Sequence, residues 1–117
     1  MQNHRAVGTK YEQLAGQHLE GCGYEILEYN FHSRNGEIDI VAKHQGYIVF
    51  VEVKYRENDK AGHPLEAVST GKQRNICKCA SYYLKKHGLY DAPVRFDVVS
   101  ILDKEISLIQ NAFDFTI

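Results

Sequence analysis

The chain of 117 residues has the length of one domain with one core. It is 44% hydrophobic and 25% charged with a net charge of -1, so there is no global basic field, and a nucleic-acid role requires a local basic patch. No apolar run approaches the ~20 residues of a membrane span, and the start MQNHRAVGTK carries no apolar signal region, so no membrane role is expected and the cytoplasm is the expected compartment. Cys22, Cys77 and Cys79 are odd in number and form no CxxC pair, which argues against a disulfide framework and a structural zinc site.

Val7, Tyr11, Leu14, Ala15, His18 and Leu19 recur at helical spacing and predict a first helix from about Thr9 to Leu19, stopped by Gly21 and Gly23. Thr9 and Glu12 have the spacing of a capping box. Glu12 also falls at the edge of the apolar stripe, from which its carboxylate can lean over a sheet. Aromatic and β-branched residues predict a strand over Tyr24 to Phe31, followed by a polar turn at His32 to Asn35. Two further strands, Ile38 to Ala42 and Tyr47 to Tyr55, flank the short turn Lys43 to Gly46 and are therefore antiparallel.

Glu57 to Pro64 reads as a loop and Leu65 to Val68 as a short turn of helix. A second long helix is predicted from about Gly71 to His87, with Thr70 and Gln73 as a capping pair and Gly88 as the stop. Its apolar face is Ile76, Ala80, Tyr83 and Leu84. It carries Lys72, Arg74, Lys78, Lys85 and Lys86 and no acid. Most charge runs are solvated faces. One-sided charge at a helix start also suits phosphate, which makes Lys72, Gln73, Arg74 and Lys78 candidates for nucleic-acid binding. VRFDVVSIL after Pro93 predicts a fourth strand and ISLIQ a fifth, joined by a turn at Asp103 to Glu105. The order α-β-β-β-α-β-β gives a single α/β domain over residues 1–117: a mixed five-stranded sheet flanked by helices, with strand four parallel to strand three.

The stretch GEIDIVAKHQGYIVFVEVKYR, residues 36–56, carries the chemistry. Glu37, Asp39, Glu52 and Lys54 interrupt apolar strands, where charge is costly unless paired or bound to a metal. A four-residue turn pairs Ala42 with Tyr47 and Glu37 with Glu52. All four charges then share one face, with Asp39 and Glu52 diagonal at roughly 7–8 Å between Cα atoms. Two carboxylates so placed reach one Mg2+ or Mn2+, whose oxygen bonds are about 2.0–2.1 Å for Mg2+. Lys54 on that face can orient or deprotonate a water, or neutralise a phosphate. A cross-strand salt bridge is the plainer account, but three carboxylates for one lysine leave an excess that a cation explains. Arg95 and Asp97 share a face of strand four, most simply as a buried ion pair. The six histidines have no ligand spacing.

GEIDIVA with FVEVK, preceded by the first helix and followed by RFDVV, resembles the YraN-like family of bacterial proteins. That family is placed in the restriction-endonuclease-like superfamily of PD-(D/E)xK nucleases, whose archaeal Holliday-junction resolvases are the nearest functional analogues. The resemblance spans Gly8 to about Ser100. It implies that Asp39 and Glu52 are metal ligands, that Lys54 is the catalytic lysine, and that Glu12 is the first-helix glutamate of resolvase-like members, both catalytic and metal-binding. Ile38 stands where the name-giving proline would precede the aspartate. Glu37 has no fixed counterpart and is treated as a supporting carboxylate behind the ligands. Two readings follow. One is an endonuclease dependent on Mg2+ or Mn2+ that cuts phosphodiesters in DNA, in preference to RNA, at branched or junction structures; a homodimer would supply two sites for two strands. The other is a non-catalytic nucleic-acid-binding module on the same fold.

Overall fold

Among the described residues, two helices and five strands follow one another in the predicted order. They are α1 (His4–Gly21), β1 (Glu25–Ser33), β2 (Gly36–His44), β3 (Tyr47–Arg56), α2 (Thr70–Lys86), β4 (Val94–Leu102) and β5 (Glu105–Phe113). The computed structural model describes residues 4–57 and 68–116, so most of the predicted loop at 57–64 and helical turn at 65–68 lies outside the described residues. The strands form one sheet in the order β1-β2-β3-β4-β5. β3 and β4 run parallel, as the crossover through α2 requires, and every other pair is antiparallel.

The central strands are apolar on both sides because helices cover both faces. Ile48 and Phe50 of β3 pack with Phe96 and Val98 beneath Ile76, Ala80 and Tyr83 of α2. Val49 and Val51 point the other way, to Val99, Ile101 and the α1 residues Ala15 and Leu19. No helix among the described residues is long and apolar enough to cross a membrane.

Both helix starts differ from the predicted ones. α1 already includes His4, so Thr9 lies inside the helix and not at the N-cap position expected of it. At position 12 the amides are bonded within the helix, and the carboxylate is left for other work. In α2 the cap is Ser69, whose Oγ accepts the Lys72 amide at 3.2 Å, while Thr70 is the first helical residue. Gln73 turns back to the chain before the helix, donating to the Val68 carbonyl at 2.9 Å. Gly88, with φ of 66°, ends the helix where predicted.

The hairpin between β2 and β3 is tighter than predicted. Gln45 and Gly46, with φ of 52° and 85°, form a two-residue turn that pairs His44 with Tyr47 and Ala42 with Val49. The slip of two residues preserves which side chains share a face. The ladder stops at Ile40–Val51; continued, it would set Asp39 opposite Glu52 instead of diagonal to it.

Beyond that point β1 and β2 turn over together. Ile40 packs on the α1 side, yet Ile38 packs on the α2 side. In β1, Tyr29 lies against Gly16 of α1, where a Cβ would meet its hydroxyl, while Phe31 joins the α2 cluster. The reversal falls at Asn30, with φ of 56°, a backbone conformation that asparagine tolerates better than most residues. Asn30 lies between Tyr29 and Phe31, which pair with Ile40 and Ile38, so it stands across from Asp39.

The opposite end of the sheet is closed by a buried polar network. Asp97 is fully buried and accepts from Tyr24 at 2.6 Å, from Arg95 Nε at 2.9 Å, from Arg95 Nη2 at 2.9 Å, and from the Asn111 amide at 3.0 Å. Arg95 Nη2 also meets Tyr24 Oη at 2.8 Å and His44 Nδ1 at 2.9 Å, so the predicted buried ion pair is part of a larger set. Replacing Asp97 by Ala strands a buried guanidinium and should lower stability by about 3–5 kcal/mol. Tyr24→Phe removes one donor to a carboxylate that keeps its others and should cost about 1–2 kcal/mol. Urea unfolding of the two variants, read as a shift in midpoint at constant slope, checks this order; equal losses would contradict it.

Candidate active site

Where the β2–β3 ladder ends, the Val53 amide loses its strand partner and Asp39 Oδ2 accepts it at 2.8 Å. This fixes the partly buried Asp39 carboxylate in the gap between the strands. The largest charges acting on it are carboxylates, and the Lys72 ammonium opposes them. Burial comes first and the charge of Glu52 second in pushing Asp39 up to about 8, against the Val53 hydrogen bond; Glu12 and Glu37 add to the rise.

Glu12 reaches Asp39 from α1 and Glu37 from β2. One carboxylate oxygen from each of Glu12, Glu37 and Asp39 lies within 4.8 Å of the others. Glu12 is 9% exposed, and its Oε2 is buried with no hydrogen-bond partner. Its carboxyl is raised above the usual range by burial, opposed by a hydrogen bond from Asn30 and reinforced by Glu37 and Glu52. A buried carboxylate oxygen without a donor, on a residue grouped with two more carboxylates, is what a bound cation would satisfy. The donors are all hard oxygens, the set that suits Mg2+ or Mn2+. The residues fit such an ion.

Glu52 takes a different place from the one expected on a shared face. Its Oε1 is 2.8 Å from Lys72 Nζ and 3.3 Å from Lys54 Nζ. Glu52 and Lys54 follow Phe50 on the α2 side of β3, and Lys72 descends from the start of α2 to meet them. The four hairpin charges thus divide at the ladder end. Glu37 joins Glu12 of α1, Glu52 and Lys54 join Lys72 of α2, and Asp39 lies between, coupled to Glu52 by charge. Lys54 is lowered from the usual lysine range by burial and by its contact with Lys72, with Glu52 opposing. For Lys72 burial works downward, but its bond to the Glu52 carboxylate, first among the opposing causes, carries it above that range.

Sequence reasoning assigned Lys72 to phosphate binding and missed its contact with Glu52; no spacing rule links the start of α2 to β3. It also missed Asn30, for which an asparagine amid strand residues was a faint signal. Of the other binding candidates, Arg74 and Lys78 lie exposed on α2 and Gln73 is engaged with the Val68 carbonyl. His32 Nδ1 lies 3.2 Å from Glu37 Oε2, so one histidine does border the carboxylates.

The sequence model of the uncharacterised protein family UPF0102 matches residues 11–101, which include both halves of the site. A UPF0102 protein of Lachnoclostridium phytofermentans is 50% identical over 113 residues, covering 96% of each chain. A UPF0102 protein of Clostridioides difficile is 45% identical over 113 residues, covering 95% of this chain and 99% of its own. One of Acetivibrio thermocellus is 48% identical over 121 aligned positions, with coverage of 95% and 93%.

The raised Asp39 carboxyl has a consequence for stability. The folded chain holds a proton that the unfolded chain releases near the usual aspartate value of about 3.9, so stability present below that value is lost as pH rises through about 8. Asp39→Asn keeps an acceptor for Val53 and removes the charge. Without divalent ions it should melt above the wild type at pH 8, by about 1–3 kcal/mol or several degrees, and close to it at pH 4. Mg2+ should raise the melting temperature of the wild type and not of Asp39→Asn. Melting curves with and without Mg2+ check both; a wild type indifferent to pH and to Mg2+ would contradict the cation site.

Proposed function

The chain belongs to the UPF0102 family, and we propose that it is an endonuclease dependent on Mg2+ or Mn2+, hydrolysing phosphodiester bonds in DNA on a restriction-endonuclease-like fold. The observation that carries this reading is the group of Glu12, Glu37 and Asp39 with its orphaned buried oxygen, set beside a glutamate held by two lysines. Glu12 and Asp39 would hold the ion, with Glu52 beside them through its charge coupling to Asp39 and Glu37 completing the oxygen set. When bound, the ion supplies charge stabilisation on the scissile phosphate.

The chain's own groups do the rest. Asp39 is locked by Val53, so the site is organised before substrate arrives. Lys54, lowered by burial and by Lys72, is nearer than an ordinary lysine to losing its proton at neutral pH, which suits it to accept one from the attacking water. Lys72 keeps its charge and faces the phosphate as the opposing cation once the carboxylates engage the ion. Arg74 and Lys78, exposed on the same helix, steer the backbone of the nucleic acid toward the site. The resemblance to resolvases makes branched and junction DNA the substrates to try first, and two strands to cut would call for a homodimer.

A cleavage assay on branched, flapped and linear DNA tests the reading. Cutting should need Mg2+ or Mn2+ and stop in chelator. Asp39→Ala, Glu52→Ala and Lys54→Ala should each reduce it by about 100-fold or more. Arg74→Ala and Lys78→Ala should weaken binding evenly across sequences, each lowering the salt slope by about one. Binding to branched DNA that survives Asp39→Ala, with no cutting by any form, would replace the enzyme with the binding module.

A further inference from the structure

We propose that the pocket between the β1–β2 turn and Tyr82 receives one unpaired nucleotide of a DNA strand, beside the phosphate engaged at the candidate active site. This rests on the nuclease reading for its position, though not for its binding chemistry. The cavity, of about 230 Å3, is lined by His32, Ser33, Arg34, Asn35 and Tyr82. It lies outside the carboxylate group but shares a boundary with it, because His32 on its wall reaches Glu37 at 3.2 Å.

Tyr82 forms the aromatic wall. It is 50% exposed, whereas its neighbour Tyr83 is buried in the core. Phe31 backs it in a stacked arrangement at 6.0 Å between ring centroids. A ring supported on one side and open on the other is a stacking platform, which any base can use whatever its sequence. Ser33 and Asn35 already form a local turn, the Asn35 amide donating to Ser33 Oγ at 3.2 Å, so that wall is fixed in advance. Arg34 lines the cavity and Lys86 lies 5.8 Å above the Phe31 ring, so positive charge is at hand for the phosphates of a bound strand.

A lone exposed tyrosine is ordinary. Here the tyrosine lines a cavity together with polar groups and Arg34, and that cavity adjoins the carboxylates through His32. The base must be unpaired, because bases in a duplex stack on one another and offer no free face to a side chain. The subsite would select flaps, branches and frayed ends over continuous duplex.

The test is fluorescence anisotropy of labelled DNA in Ca2+, comparing a flapped substrate with a continuous duplex of the same sequence, for wild type, Tyr82→Phe and Tyr82→Ala. Tyr82 lies on the surface, and unchanged melting curves would establish that the variants fold. Tyr82→Ala should weaken flap binding about tenfold and leave duplex binding unchanged, while Tyr82→Phe should bind like wild type. No loss, or an equal loss on flap and duplex, overturns the subsite. The two proposals fail separately. Cutting in Mg2+ with flap affinity intact in Tyr82→Ala removes the subsite and leaves the reaction. A flap-specific loss without cutting by any form removes the reaction and leaves the subsite.

Discussion

The hydrogen bond from the Val53 amide to Asp39 is the constraint on which the site depends. Two antiparallel strands that stayed paired along their length would place Asp39 and Glu52 side by side and give each amide a carbonyl. Instead the ladder ends at Ile40–Val51, and the aspartate replaces the missing carbonyl. One contact therefore satisfies an amide that would otherwise be orphaned and holds a carboxylate at the mouth of the gap. The gap in turn lets groups from both sides of the sheet meet, α1 supplying Glu12 and α2 supplying Lys72.

The chain uses the same device twice, with opposite results. Asp97 sits at an irregularity of the β4–β5 ladder and accepts the Asn111 amide, much as Asp39 accepts that of Val53. Asp97 is met by Arg95 and Tyr24, so its charge is matched inside the protein and the arrangement acts as a fastening. Asp39 is buried among Glu52, Glu12 and Glu37, whose charges add to the effect of burial in pushing it up to about 8. A buried aspartate becomes a fastening or a site according to the charge brought to it, and here the company differs because the network lies at one end of the sheet and the gap at the other.

This pairing explains what was legible in the sequence. The order of elements followed from apolar period and from turn residues, and the parallel β3–β4 pair followed from the length of α2. The even slip in hairpin register was harmless because it keeps the faces of the paired residues. The charges in GEIDIVA and VEVK were visible as misfits, but their distribution was not. Alternation assigns Glu37, Asp39, Glu52 and Lys54 to one side, and it fails at Asn30 and Asp39, where β1 and β2 turn over. That reversal depends on one residue with positive φ and on contacts with both helices, which no local pattern encodes. Glu12 was similarly ambiguous until the helix proved to begin before Thr9.

The reversal also divides the charges of the hairpin between the two faces of the sheet. Divided across the gap, the negative group of Glu12, Glu37 and Asp39 stands on one side and Lys54 and Lys72 on the other, with Glu52 clamped between the lysines. Such a division sets an all-oxygen group beside a pair of lysines while keeping the two adjacent. The fold achieves this only because helices lie on both faces: with α2 alone the site would lack Glu12 and its orphaned oxygen, and with α1 alone it would lack Lys72, which lowers Lys54.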